Sequence, residues 1–452
     1  MNDSPHVAVV GGGLAGLAAA LDCADAGARV TLMERRQRLG GLTWSFEHHG
    51  LHVDNGQHVF LRCCREYLSF LERISARRDV TLQERLDIPV LAPGTRGSPP
   101  TIGRLRRSGL PAPLQLAGSL LRYPHLPLAQ RLQLGRGLTA LRRLSLDDPT
   151  LDDVTFGEWL RQHGQSEAAV ATVWDLITVP TLNLPAAEAS LALAAMVFKI
   201  GLLEDATAAD IGWSRVPLGS LHGERASVAL AQAGVAVRLG ARVQSVRPDP
   251  VGGFSIDGAH ADAAIVALPH EETARVLPPG AVAHQSRLAE LGDSSIVDVH
   301  LFYDRPVTKW PLMAAVHSPI QWVFDRTESS GLTRGQYLAV SISASDDLFA
   351  ERPDELTRRI GTELGRLLPS THEARIVDSL VTKERRATFR AAPGTASLRP
   401  VAQTSVPCLT VAGAWTDTGW PATMEGAVRS GRAAASAALG ALQRIPVTKE
   451  VA

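Results

Sequence analysis

Cysteine is scarce in this 452-residue chain: there are four, at 23, 63, 64 and 408, and none falls in a CxxC or zinc-ligand spacing. That scarcity argues against a disulfide-stapled scaffold or a zinc module, and the four are expected as reduced thiols in or near a core. Long apolar runs are missing as well. The most apolar stretch, ASLALAAMVFKIGLL at 189–203, is short and carries Lys199, with Glu188 just before it, so a buried helix is expected there rather than a membrane span. The opening MNDSPHVAVVGGG lacks the basic start and apolar region of a secretory signal, which points to the cytoplasm. Formal net charge is zero, with 46 basic and 46 acidic side chains, and no nucleic-acid module is recognisable, so nucleic acid is not an expected partner. Nor does the chain show an internal repeat, a low-complexity tract, a metal-ligand set or a nucleophile constellation.

What is present is a composition of ordinary globular type, 45% hydrophobic and 20% charged, in a chain long enough to predict two domains interleaved in sequence. Residues 7–36, VAVVGGGLAGLAAALDCADAGARVTLMERR, run through a strand, a glycine turn, a small-residue helix and a second strand ending in acid. Gly11 permits the tight turn, Gly13 lets the backbone approach a pyrophosphate, and Gly16 lets the helix lie close to the sheet. The helix N-terminus supplies N–H donors and a positive dipole, and Glu34 is placed to accept from a ribose hydroxyl. The whole order of parts predicts a dinucleotide site. Toward the other end, AGAWTDTGWPATMEGAVRSG at 412–431 predicts a helix launched with Pro421 at or near its first position. Gly426, Ala427, Ser430, Gly431 and Ala434 strip one face of that helix of bulk, so something must come close to its backbone. Between these ends, 215–249 reads as a helix running into a strand pair, 252–270 as a hairpin and buried strand ending in Ala-Leu-Pro, and 294–307 and 337–345 as strands.

The continuation ERRQRLGGLTWSFEHHG resembles FAD-dependent oxidoreductases of the amine oxidase and carotenoid desaturase superfamily. That resemblance implies an α/β fold in which a Rossmann-type FAD domain (1–75, 215–272 and 400–445) is interleaved with an α+β substrate domain (76–214 and 273–399). It implies that Arg36 and Gly41 line the pyrophosphate, that Val243 faces the adenine, and that CLTVAGA (408–414), through Gly413, leads to a helix start near Thr423 and Met424 that faces the flavin. Two positions depart from the pattern: Leu42 stands where amine oxidases place an arginine, and Ala414 where desaturase-like members place an aspartate. Asp417, three residues on, is a candidate substitute for that aspartate.

Residues 50–75, GLHVDNGQHVFLRCCREYLSFLERIS, turn from dense polarity into apolar helical spacing through Phe60, Tyr67, Leu68 and Leu71. With DLITVPTLNLPAAEASLALA (175–194) and the C-terminal motif, this stretch is similar to squalene-associated FAD-dependent desaturases understood as hydroxysqualene dehydroxylases. The implied reaction is reductive loss of an allylic hydroxyl from a C30 isoprenoid, with electrons from an unidentified reductant; oxidative desaturation and non-catalytic prenyl-lipid carriage are the alternatives. The leaving hydroxyl needs a proton or a strong donor. His58, which titrates near neutrality, is the first candidate, and a hydrogen-bonded structural histidine is the alternative for it. Asp54, Gln57, Asp417 and Glu425 are rivals or mere caps. Finally, residues 88–146 hold nine arginines and no lysine, aspartate or glutamate, alternating with apolar residues as an interfacial surface on anionic lipid would. A peripheral position on the inner face of the cytoplasmic membrane is therefore expected.

Overall fold

A computed structural model of the chain describes residues 4–94 and 98–444; Arg96, one of the nine arginines, and residue 445 lie outside them. The first strand, His6–Val10, is buried along nearly all its length because both faces of its sheet are covered. It is central in a parallel sheet whose order is 236–239, 29–34, 6–10, 263–266 and 409–411. Strands far apart in sequence thus come side by side, and their C-terminal ends gather at one edge, where open α/β sheets bind ligands.

Two helices cover this edge. Leu14–Asp25 follows the glycine turn, and Met424–Leu442 packs along it. The bare face of the second helix has a direct reason. A methyl group at Gly431 would stand 2.1 Å from the Ala15 carbonyl oxygen, so the close partner is the first helix itself. The helix starts three residues later than Pro421: Thr423 is its N-cap, and its hydroxyl accepts from the Gly426 N–H at 3.1 Å. A side-chain cap outcompetes the proline start because it satisfies a first-turn donor that proline would simply remove.

A second, seven-stranded sheet has the order 376–389, 293–303, 336–343, 322–325, 312–315, 87–92 and 101–106. Its strand Asp293–Tyr303 alternates cleanly. Val297, Val299, Leu301 and Tyr303 pack with Leu356, Ile360 and Leu364 of the helix Pro353–Leu367, while Asp298, His300 and Phe302 take the other face. The strand pair expected after the helix Arg225–Gln232 is split: Ala236–Leu239 joins the parallel sheet and Val246–Pro248 a separate antiparallel one. Phe60 is likewise in a strand, Val59–Leu61, and only the later residues form the helix Arg65–Arg73. Pairing decides this, since Phe60 lies opposite Gly212, where an added methyl would stand 2.3 Å from its ring.

The 189–203 stretch is the buried helix Leu191–Phe198 continued by a wider turn, and Lys199 ends it by donating to the Leu144 carbonyl at 2.6 Å. Among the described residues no helix is long and apolar enough to cross a membrane. All four cysteines are free thiols.

Candidate active site

The glycine turn is built by close approach. A methyl group at Gly11, whose φ is +110°, would stand 2.3 Å from the Ala267 carbonyl oxygen, and one at Gly16 would stand 1.9 Å from the Gly11 carbonyl oxygen. Gly13 differs: the nearest atom to its missing methyl is Gly41 Cα at 3.8 Å, an ordinary contact. A methyl group at Gly41, whose φ is +60°, would stand 2.8 Å from Gly13 Cα. The two glycines together make a cradle that side chains would fill. Glu34 is buried at the strand end, accepting from the N–H groups of Gly12 (2.7 Å) and Arg36 (2.8 Å), with a lone pair left on each oxygen for a sugar hydroxyl. Ala241 donates to the Glu34 carbonyl and Gly240 to that of Arg36, which draws the loop carrying Val243 to the same strand end.

The Arg36 side chain is exposed, and the arginine turned inward is Arg38, which sequence reasoning did not single out. It donates to the Gly41 carbonyl at 3.0 Å and lies 4.1 Å over the Trp44 ring, and its buried Nη2 has no partner among the described residues. Burial lowers its pKa to about 10, helped by Arg36 nearby. A buried guanidinium nitrogen aimed at a glycine cradle fits an anionic group such as a pyrophosphate. Arg38→Met is expected to weaken flavin binding about ten- to a hundredfold, equivalent to about 1.5–3 kcal/mol for one charged hydrogen bond, in a titration of apoprotein with FAD.

The C-terminal motif reaches the same place. Gly413 donates to Ser430 Oγ at 2.9 Å, and Trp415 donates its indole N–H to the Leu268 carbonyl at 2.9 Å, next to the Ala267 that flanks Gly11. With Thr423 capping Gly426, the N–H groups of Met424 and Glu425 are left pointing out of the helix start, where they can meet negative charge. Ala414 is half-buried between these parts. Asp417, the candidate substitute for the missing aspartate, is exposed, accepts from the Gly419 N–H at 3.1 Å, and its charge supports the buried guanidinium of Arg399. Ala414→Asp is therefore expected to tighten FAD binding about tenfold or more by adding a charge-assisted bond; weaker binding in the same titration would show that the new carboxylate is repelled.

Beyond the cradle lies the stretch DNGQH. Asp54 is a buried scaffold: it accepts from Ser45 Oγ (2.6 Å), the Leu218 N–H (2.9 Å) and Arg326 Nη2 (2.7 Å). Glu425 is equally occupied, capping the helix Arg65–Arg73 through the Tyr67 N–H at 2.7 Å and accepting from Arg429. Both oxygens of each carboxylate are engaged in these bonds. Gln57 keeps a buried amide nitrogen without a partner among the described residues. His58 is half-buried, and its Nδ1 lies 3.3 Å from the Gly56 carbonyl. Burial pushes its pKa below the usual histidine value, against smaller opposing effects of Gly56 and Asp54. With Nδ1 donating to Gly56, Nε2 is an acceptor. His222, held near pKa 3 by burial and by His58, is bonded to Tyr67 Oη at 2.8 Å. Facing this group from the second sheet is Asp298, another residue the sequence reading passed over, although a lone acid in the apolar strand SSIVDVHLFY was visible there. A methyl group at Gly56 would touch both Asp298 Oδ2 at 3.5 Å and His58 Cε1 at 3.7 Å.

Metal ligands were not expected. The structure does bring His48 and His49 of the 45–54 hairpin against Asp378 of the strand Ile376–Phe389, each histidine 2.9 Å from Asp378 Oδ2.

The chain is similar to known proteins along nearly its whole length. Residues 14–439 match the family described as flavin containing amine oxidoreductase. A protein from Rhodopseudomonas palustris named hydroxysqualene dehydroxylase is 29% identical over 97% of this chain and 99% of its own. One from Synechococcus elongatus named probable zeta-carotene desaturase is 24% identical over 96% of this chain and 99% of its own. The solved structure of cyclohexylamine oxidase from Brevibacterium oxydans superposes with a TM-score of 0.73 at 19% identity, covering 98% of this chain and all of that one, which shows the shared fold. The glycine cradle with its inward arginine and the family match across nearly the whole chain lead to one conclusion: this protein belongs to the flavin containing amine oxidoreductase family and is an FAD-dependent oxidoreductase.

Proposed function

We propose that the protein removes the hydroxyl of hydroxysqualene reductively to give squalene. The observation that carries this reading is the end-to-end similarity to a protein named hydroxysqualene dehydroxylase. The site chemistry supports it. When bound and reduced, FAD supplies a hydride; the chain's own residues have to orient an apolar substrate, exclude water and provide a proton. The cofactor is held by Gly11, Gly13, Gly16, Glu34, Arg38 and Gly41 at one end and by Gly413, Thr423 and Met424 at the other, with Arg36 and Val243 on the adenosine side. In domain terms, 1–75, 215–272 and 400–445 carry the cofactor and the remaining segments the substrate.

An apolar pocket supports a hydrocarbon substrate. It is walled by Leu116, Leu120, Leu134, Leu138, Trp174 and Phe198 among others, and it is narrow, leaving about 40 Å³ for the centres of water-sized spheres, so its walls must part to admit a C30 chain. Two of its walls belong to the helices Ala117–Leu121 and Leu128–Arg143. The outer faces of these same helices expose Leu121, Leu128 (59%) and Leu132 (63%), next to exposed Leu110 and Leu114. This is the arrangement of a surface that lies on lipid and passes a lipid-soluble substrate inward.

The arginines expected to drive such contact need correction. Arg104 and Arg106 share Asp87, and Arg107 shares the buried Asp210 with Arg62, so acids from outside the segment offset part of their charge. Leucine rather than these arginines then carries the binding. Replacing Leu121, Leu128 and Leu132 by Gln is expected to weaken binding to liposomes at least tenfold in a flotation assay, and Arg104→Gln to change it little. Equal binding by the triple variant would remove the membrane role.

The similarity to a carotene desaturase sustains a second reading, oxidative desaturation with the same cofactor. Family membership with an intact cradle leaves no ground for a non-catalytic carrier. Extraction of products decides between the two enzymes. Chemically reduced protein given hydroxysqualene should yield squalene, and oxidised protein given zeta-carotene should yield no new conjugated product; the opposite pattern would replace the proposal with the desaturase.

A further inference from the structure

We propose that Asp298 is the residue that gives its proton to the leaving hydroxyl, an inference that rests on the dehydroxylation proposed above. Its placement carries the argument. Asp298 pairs with Ser341 on one neighbouring strand and Thr382 on the other, inside the second sheet, and its side chain takes the face opposite the helix-packed core. There it meets Gly56, where an added methyl would stand 3.5 Å from Oδ2, and shares that glycine with His58. Asp298 is 2% exposed, and its Oδ1 has no hydrogen-bond partner among the described residues. A carboxylate with an unpartnered buried oxygen is costly, whereas a carboxylic acid there is tolerated and has an O–H to give.

The charged and titratable groups around it agree. Burial raises its pKa to about 7, with Ser341 opposing and Asp54 reinforcing. Arg326 donates from Nη2 to Asp54 at 2.7 Å and from Nη1 to the Ser214 carbonyl, while its buried Nε has no partner among the described residues. His300, two residues along the strand, is kept neutral by burial and is bonded to Tyr337 Oη and Thr382 Oγ1. The Tyr337 phenol is held protonated by burial. Lys383 turns away to the carbonyls of Leu348, Phe349 and Glu351. Burial lowers the His58 pKa, and with Nδ1 donating to the Gly56 carbonyl its Nε2 can accept from and orient a hydroxyl. Asp298 is the acid of this group that burial favours in its protonated form.

The step balances. The C–O bond of the substrate breaks with its electron pair going to oxygen, the Asp298 proton joins that oxygen, and water leaves. Bound, two-electron-reduced FAD would supply the hydride that the allylic carbon takes up, and Asp298 recovers a proton from solvent, so one hydride and one proton are consumed for each water released. The carboxylate formed meanwhile offsets the positive charge on carbon.

The sign of the stability effect follows. Between pH 4 and about 7 the folded chain binds a proton that the unfolded chain has lost, so this group makes stability fall as pH rises through that window. Asp298→Asn should remove this dependence and raise the melting temperature at pH 8 more than at pH 5.

The test uses holoenzyme and two readouts. Infrared difference spectra should show a protonated-carboxyl band at pH 6 that fades by pH 9 and is missing in Asp298→Asn. Single-turnover formation of squalene by pre-reduced enzyme should fall at least a hundredfold in Asp298→Asn, with FAD content retained, and recover in part in Asp298→Glu. In the parent it should decline above about pH 7. Absence of the band at pH 6, or an Asn variant within threefold of a parent that does form squalene, overturns the role of Asp298. A parent that forms no squalene overturns the substrate reading instead.

Discussion

Arg399→Met should lose FAD on purification and unfold at a markedly lower temperature than the parent. Arg399 is 7% exposed, and its guanidinium donates to three carbonyls, those of Trp415 (3.1 Å), Thr416 (2.6 Å) and Trp420 (2.6 Å), while stacking on Phe389. These bonds clamp the loop between Gly413 and the helix start at Met424, so one side chain sets the approach of both cofactor-facing ends. Burial lowers the Arg399 pKa, and the charges of Asp417 and Asp152 oppose that loss. Methionine keeps the volume but leaves three buried carbonyls without a donor, each worth about 1–3 kcal/mol; with some relief from water, a loss of about 3–5 kcal/mol is expected. A variant that melts within about 1 °C of the parent and keeps its FAD would show that the loop holds itself.

The second large effect is Gly431→Val. With the Ala15 carbonyl 2.1 Å from where the first added carbon would stand, and backbone on both sides, the two cofactor-flanking helices must separate. Overpacking of this kind costs about 1–3 kcal/mol and here more, because no flexible side chain can move aside. The matched control is Gly440→Ala in the same helix, where nothing lies within 4 Å of the new methyl. It should be neutral or stabilising by about 0.5–1 kcal/mol through backbone entropy. Thermal melts of both variants, with and without FAD, check the pair. Equal behaviour would mean that the small-residue face has no partner.

The contrast between these two glycines shows what could be read in advance. The spacing of Gly426, Ser430 and Gly431 revealed a face without bulk and suggested close packing on the N-terminal helix; Gly431 does meet that helix at the Ala15 carbonyl, while Ser430 meets Gly413 and Gly426 the Pro421 carbonyl. The glycine turn and Glu34 were legible because each answers a local geometric demand of a strand-turn-helix unit. The helix start was misplaced at Pro421 because a side-chain cap at Thr423 is as local a signal as a proline and here the stronger one. What could not be read were roles that depend on long-range neighbours. Asp54, Glu425 and Arg104 look like free acids and bases in sequence, and Arg326, the Tyr67 N–H and Asp87 occupy them in space. Arg38 and Asp298 were passed over for the converse reason: an unpartnered buried atom is visible only once the walls around it are known.

The direction of electron flow tests the account most directly. Anaerobic enzyme, its flavin reduced beforehand, is mixed with hydroxysqualene in one turnover while the flavin absorbance is followed and the lipid is extracted. Return of the oxidised flavin spectrum with one squalene formed per flavin is the predicted result. A flavin that stays reduced with hydroxysqualene, yet becomes reduced from the oxidised form on mixing with squalene or a carotenoid precursor, would contradict it.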